Sequence, residues 1–260
     1  IRYLRGSSSD LYLNYKNAFI DIIKRSNVVL CSSLEQKKIL LPYNKNIKII
    51  LDSHIDECTS LKNNFKIGEI INIGWEGQHA TLPSLLKLVR KIGTTYLGEK
   101  VHFHVLTDDT PKQIDRLLYG NSMKDFLIKK NLPITFYPWS ISNLNKLTEM
   151  CDFAVIPVNL KNPMHLLKPE NRIHLFWRLG LPVIASLTDS NLRAMSLCKQ
   201  DLCADTLDKW IFLIEKLISS STILKTYSKK SHNYVVNHFD TNYFINLWKD
   251  AIESALGIMI

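Results

Sequence analysis

The chain has 260 residues, 46% of them hydrophobic and 22% charged, ordinary proportions for a globular protein of one large domain, or of one domain and part of another. No apolar run reaches the ~18 residues that a membrane-spanning helix needs, and even WIFLIEKLI (210–218) is interrupted by charge. The net charge of +9 would attract nucleotide phosphates, acidic lipid or nucleic acid, but the lysines are dispersed, without a basic block or an aromatic-basic RNA motif, so nucleic acid is not an expected partner.

Cys31, Cys58, Cys151, Cys198 and Cys203 are odd in number, scattered and without a CxxC pair, which reads as free thiols in a reducing cytoplasm rather than a zinc site. No signal peptide is visible, and the opening Ile suggests a fragment or a processed chain.

From residue 27 strands and helices alternate. NVVLCSS (27–33) reads as a buried strand, followed by a short helix and the short strand NIKIIL (46–51). After the polar stretch 57–66 a longer series begins with EIINIG (69–74). In LPSLLKLVRKIG (82–93), Leu82, Leu85, Leu86, Val89 and Ile92 recur at helical spacing, with Lys87, Arg90 and Lys91 outside. VHFHVLT (101–107), a helix opened by Asp109-Thr110-Pro111, PITFYP (133–138) and a helix over 140–150 follow. DFAVIPV (152–158), a helix, LPVIAS (181–186), another helix and DLCA (201–204) complete six strands. Alternation of this kind, with strands apolar on both faces, predicts a parallel Rossmann-like α/β sheet covered by helices on both sides. From about residue 207 the pattern is helical to the end.

In such sheets ligands bind beyond the carboxyl ends of the strands. Two stretches there stand out. Gly74-Trp75-Glu76-Gly77 would let backbone approach a phosphate near a helix N-terminus, although a tight turn explains it equally well, and it matches neither GxGxxG nor the Walker pattern. In KPENRIHLFWRLG (168–180), Pro169 suits the first helical position and Gly180 the residue just past the end. Ile173, Phe176 and Trp177 would face the sheet, while Lys168, Asn171 and Arg172 ring a positively polarised helix start, an anion site by chemistry. His165 lies in the preceding loop, within reach of a ligand. His102 and His104 share one face of a strand and read as satisfied core histidines. HExxH, Asp-rich metal clusters and GxSxG are absent.

DFAVIPVNLKNP, with KPENRIHLFWRLGLPVIAS after it, resembles the donor-binding region of family-4-type glycosyltransferases of the GT-B fold. SNVVLCSS with IILDSHID resembles the last strand of that family's N-terminal domain and its linker. IGWEG resembles the first glycine loop of the C-terminal domain, PITFYPW the base-binding segment, and VVNHFDTNYFINLWKDAI the final helix that crosses back. The resemblance implies three parts: residues 1–56 as the end of an incomplete N-terminal, acceptor-side domain with its linker; 57–238 as the nucleotide-sugar-binding Rossmann-like domain; and 239–260 as the returning helix. It implies a metal-independent hexosyltransferase-type enzyme of surface polysaccharide or glycoconjugate synthesis. Such an enzyme needs no cofactor beyond its nucleotide-diphosphate sugar, takes a saccharide, lipid-linked glycan or protein acceptor, and works in the cytoplasm or peripherally at a membrane's inner face. The diphosphate would rest on Gly74, Trp75, Glu76, Gly77, Lys168, Asn171 and Arg172. No residue is assigned to catalysis.

The family often carries two glutamates separated by seven residues for ribose and hexose; aligned on Gly180, Leu167 and Leu175 stand there, beside His165. Lys168 and Arg172 fit the Lys-x-x-x-Lys/Arg variant. Trp75 and Glu76 replace the usual Arg and Lys, with His79 nearby, and Ser53-His54 replaces the linker's Asn-Gly. A nucleotide-sugar epimerase and a catalytically inactive glycosyltransferase-like subunit are the competing expectations.

Overall fold

The structure is a computed structural model that describes residues 15–110 and 120–257. Most of the helix expected after Asp109 lies outside the described residues. The chain enters through α1 (Tyr15–Arg25), β1 (Val29–Cys31), α2 (Leu34–Leu40) and β2 (Ile47–Ile49), with β1 and β2 paired in parallel as a separate two-stranded sheet. Ser33 starts α2 by accepting the Gln36 N–H on its hydroxyl, the usual way a helix satisfies one of its unpaired first-turn donors.

The second sheet holds β3 (Ile71–Glu76), β4 (Val101–Thr107), β5 (Ile134–Pro138), β6 (Phe153–Ile156), β7 (Val183–Ser186) and β8 (Cys203–Ala204). All pairings are parallel and the order is β5-β4-β3-β6-β7-β8. The six strands expected from the sequence are these six. The helices α3 (Leu82–Gly93), α4 (Met123–Ile128), α5 (Ile141–Met150), α6 (Pro163–Leu166), α7 (Asn171–Arg178), α8 (Asp189–Leu197) and α9 (Leu207–Ile218) alternate with them and cover both faces. Ile73, Trp75, Phe103, Val105, Phe153, Ile184 and their neighbours are fully buried between the layers. Because crossovers run outward in opposite directions from β3 and β6, the gap above these two strands is the topological switch point where such sheets bind ligands.

Two differences from the sequence reading bear on the site. The strand expected over 69–74 runs instead through Glu76, so Trp75 and Glu76 join Gly74 in the strand and only Gly77 begins the loop. A Cβ at Gly74 would come within 3.2 Å of Cys151 Sγ, so packing against β6's entry is what asks for a glycine there. The helix expected to start at Pro169 starts at Asn171, with Glu170 as its cap residue. Its end is as expected: Gly180 has φ of 69°, its N–H reaches Trp177 O, and Leu181 N–H reaches Phe176 O. That paired pattern is the Schellman stop, which needs a left-handed residue at this position. Ile173, Phe176 and Trp177 are fully buried against the sheet.

After β8 the chain is helical, with α9 followed by α10 (Ser221–His238) and α11 (Thr241–Leu256). Ser228 on α10 donates to Gly180 O at 2.6 Å, which ties α10 to the end of α7. The last helix returns to the N-terminal strand pair: Lys48 Nζ meets the Asp250 carboxylate at 2.8 Å and Asn27 Nδ2 donates to Ala255 O at 2.9 Å. The segment between the sheets is fastened by Lys62, which is buried, gives its backbone N–H to Leu179 O and sends its ammonium to Cys151 O at 2.7 Å. All five cysteines are free thiols. Among the described residues no helix is long and apolar enough to cross a membrane.

Candidate functional site

A cleft of about 440 Å³ opens above β3 and β6, at the switch point. Its size suits a drug- or nucleotide-sized ligand. One wall comes from the stretch after β6: His165 from α6, Lys168, and the first turn of α7 with Asn171 and Arg172. The opposite wall comes from the end of β3 (Glu76, Gly77, Gln78) and from Trp139 after β5. Asp52, His54 and Glu57, from the segment joining the two sheets, close the third side.

The α7 wall is cationic. Arg172 Nη1 donates to Glu76 O at 3.1 Å, which holds the guanidinium across the cleft floor. Burial pulls the Arg172 guanidinium below its usual range, against the Glu76 carboxylate, and also lowers Lys168, with Arg172 adding repulsion. Arginine stays charged under such conditions, so this wall carries positive charge that little solvent screens. His165 Nδ1 accepts the Asn159 N–H at 3.1 Å. A nitrogen that accepts is unprotonated, so the ring's proton sits on Nε2 as a further donor. Burial, then Lys168 and Arg172, lower the His165 pKa and favour that neutral form. The α7 start adds backbone N–H groups that have no place in the helix ladder.

Gly77 is set by this geometry. A Cβ there would come within 2.8 Å of Trp75 Cζ2, 2.9 Å of Arg172 Nη1 and 2.9 Å of Thr81 Oγ1. Its own N–H is already given to Leu106 O at 3.2 Å. The glycine's service is therefore room for the guanidinium rather than an amide for a phosphate. Glu76 is a carboxylate among cations. Burial raises its pKa, opposed by Arg172, His54 and a hydrogen bond from Trp139.

The residues singled out by sequence divide as follows. Glu76, Gly77, His165, Lys168, Asn171, Arg172 and Leu175 line the cleft. Gly74 and Trp75 lie in the strand below it, and Trp75 is fully buried in the core. Leu167 turns its carbonyl oxygen to the N-terminal unit, where Ser33 Oγ at 2.8 Å and Gln36 Nε2 at 3.1 Å both donate to it. His79 is buried with Nε2 at 2.7 Å from Asp108 O. His102 and His104 are satisfied, on Thr135 Oγ1, and on Tyr137 Oη and Asn72 Oδ1 respectively.

Sequence reasoning left Asp52, His54 and Glu57 without a role, yet all three line the cleft. Asn171 Nδ2 donates to the Asp52 carboxylate. His54 Nδ1 meets Glu57 Oε2 at 2.7 Å, and the residue holds a left-handed φ of 52°. The signal available was the His at a place where the resembled family has glycine. Among the described residues no three His, Cys, Asp or Glu side chains assemble as a metal site.

No family model matches the sequence, and no curated protein matches it. Solved structures do match. S. aureus TarM, in complex with Fondaparinux, alpha-GlcNAc-glycerol and UDP, is 12% identical with a TM-score of 0.63 over 91% of this chain and 46% of its own. Anabaena HepE in complex with UDP-glucose is 10% identical with a TM-score of 0.67 over 93% of this chain and 67% of its own. A glycosyltransferase from Rickettsia africae is 13% identical with a TM-score of 0.66 over 94% and 68%. The chain thus spans about half the length of TarM and about two thirds of the other two. With its switch-point cleft, six-stranded parallel sheet and returning last helix, the chain has the fold of the GT-B glycosyltransferases.

Proposed function

We propose that the chain is the donor-binding part of a glycosyltransferase that takes its sugar from a nucleotide-diphosphate sugar. The observation that carries this reading is the cationic wall at the switch point, where His165, Lys168, Arg172 and the start of α7 converge on one cleft. The diphosphate lies against that wall. Transfer breaks the bond between the sugar's anomeric carbon and the diphosphate oxygen while an acceptor hydroxyl bonds to the carbon. Negative charge then grows on the departing nucleoside diphosphate. Fixed donors facing that charge lower the barrier, and one such contact is commonly worth ~2.7–4 kcal/mol. Protein cations do here what a divalent ion does elsewhere, which is why we propose a metal-independent hexosyltransferase with no further cofactor. HepE and TarM, with bound UDP or UDP-glucose, support a uridine nucleotide as the first donor to try.

Calorimetric titration of the chain with UDP-glucose and UDP, with the GDP and ADP forms in parallel, tests the reading. At least one nucleoside diphosphate is expected to bind, and Arg172→Ala to abolish that binding. Unchanged affinity in the variant would overturn the assignment of the wall. A second reading, a donor-binding subunit without transfer activity, has one observation in its favour: Leu175 is 4% exposed and lines the cleft where the resembled family places a carboxylate for ribose. Donor hydrolysis and transfer assays separate the two, since a binding subunit holds the nucleotide sugar and leaves it intact.

A further inference from the structure

The cleft has two chemically opposite sides, and the donor reading above uses only one. Adjoining the cations, on the third side of the cleft, is the joining segment, with the carboxylates of Asp52 and Glu57 and the ring of His54. A diphosphate is repelled by that side and has no protons to offer it.

Two side chains where the joining segment meets the first turn of α7 lack the kind of partner that a sugar brings. Asn171 is 8% exposed, and its Nδ2 donates to Asp52. A carboxylate only accepts, so the amide orientation is fixed and Oδ1 is the other end. That Oδ1 is buried with no hydrogen-bond partner among the described residues. His54 repeats the pattern. Its Nδ1 faces the Glu57 carboxylate at 2.7 Å, so Nδ1 carries a proton, and in the neutral form of the ring Nε2 is the acceptor. Nε2 is likewise buried and without a partner among the described residues. Both residues line the same cleft. Buried polar atoms are nearly always paired, and an orphan asks for an unseen group. What this side wants is hydroxyl protons.

We infer that the joining segment 52–57, with Asn171, is the sugar-binding side of the donor site: His54 Nε2 and Asn171 Oδ1 accept hydrogen bonds from hydroxyls of the transferred sugar. Glu57 is a positioning residue that fixes the tautomer of His54, and Asp52 does the same for the amide of Asn171. The donor is thereby oriented, diphosphate on α7 and hexose turned toward the joining segment. The left-handed φ of 52° at His54, a conformation that favours glycine, is what turns this ring to its place.

The inference rests on the donor-site reading, and one titration series separates their failures. The chain is titrated with UDP, GDP and ADP, then with the glucose and N-acetylglucosamine conjugates of whichever bind. The expected result is a hexose conjugate that binds at least about tenfold more tightly than its nucleoside diphosphate. His54→Gly, which suits the φ and should fold at least as well by thermal melting, is expected to erase most of that advantage while the nucleoside diphosphate still binds. In ¹⁵N spectra of the intact chain, His54 Nε2 should be unprotonated and should shift with the hexose conjugate but not with the nucleoside diphosphate; Glu57→Ala should change the tautomer. If no nucleoside diphosphate binds, the donor-site reading falls and this inference with it. If nucleoside diphosphates bind but no hexose adds affinity, or if His54→Gly weakens both forms equally or neither, the inference alone is overturned.

Discussion

Arg172 Nη1 donates to the carbonyl oxygen of Glu76 at 3.1 Å, and this hydrogen bond joins the first turn of α7 to the end of β3 across the switch point. The same guanidinium both closes the cleft floor and supplies its charge. A lysine keeps the charge but not the planar fork, so the two services separate. Arg172→Lys is expected to retain nucleoside diphosphate binding at roughly tenfold lower affinity and to cost ~1–2 kcal/mol in stability. Calorimetry and urea unfolding read the two effects independently. Wild-type affinity in Arg172→Lys would show that the fork is not used.

Gly77→Ala tests the room around that guanidinium. The added Cβ would sit 2.8 Å from Trp75 Cζ2 and 2.9 Å from both Arg172 Nη1 and Thr81 Oγ1. Trp75 is fully buried and has nowhere to move, so the guanidinium must give way. Overpacking of this sort costs ~1–3 kcal/mol. The variant should be destabilised by that amount and should lose nucleoside diphosphate affinity as Arg172→Ala does. A Gly77→Ala chain that melts later or binds as wild type would refute the packing argument.

How far the sequence carries depends on the range of the interactions. The six-strand sheet follows from alternation, and the α7 stop from Gly180, because hydrophobic period and left-handed φ act over a few residues. Lys168, Asn171 and Arg172 were visible because all three lie close together in sequence, on and just before one helix start. The part of the cleft made by Asp52, His54 and Glu57 was not, because it depends on where the joining segment lies over the sheet. That path is set by long-range ties such as Lys62 N–H to Leu179 O, and Arg178 Nε to Ser53 O at 2.8 Å. Trp75 and Gly74 illustrate the opposite error. They resemble a phosphate loop in the sequence, but β3 runs two residues further than EIINIG suggests, through Glu76, so Trp75 joins Gly74 in the sheet.

Among the ties between the N-terminal unit and the main sheet's helices is an arginine. Arg193 on α8 contacts Glu35 on α2 at 2.6 Å and Glu170 beside α7 at 3.1 Å. The Glu35 side chain is 8% exposed. Burial pushes its carboxyl up, yet the Arg193 hydrogen bonds hold it below the usual range. Removing the arginine strands that carboxylate. A fully buried pair broken this way costs ~3–5 kcal/mol, and the partly exposed Arg193 lowers the expectation to ~2–3 kcal/mol for Arg193→Met. Urea unfolding measures the loss, and Arg193→Met combined with Glu35→Gln should recover part of it. No recovery would mean that the destabilisation comes from packing rather than the stranded charge.

Two histidines make the fold acid-sensitive, and the sign follows from their burial. His104 lies between Tyr137 Oη and Asn72 Oδ1, each at 3.0 Å. Burial, with a smaller push from His102, brings its pKa down to about 4 from an ordinary 6.5. His174 packs against Phe239 with ring centroids 4.3 Å apart, and burial, with Arg178 and His54, brings it down to about 3. In the unfolded chain both take up a proton near the ordinary value. Between about pH 6.5 and about pH 4 the unfolded state therefore binds more protons than the native state, and stability rises with pH. The contribution is whole above the ordinary value and drains away on acidification, at up to ~1.4 kcal/mol per pH unit for each histidine. His104→Gln keeps polar atoms toward Tyr137 and Asn72 but does not titrate. Its stability, from urea midpoints at steps from pH 7 to pH 4.5, should fall less steeply than wild type by about one histidine's share. Paired carboxylates such as Glu35 slope the same way in both chains, so only the difference between the curves reports His104. Parallel curves would mean that the native protein accommodates a charged ring at this position.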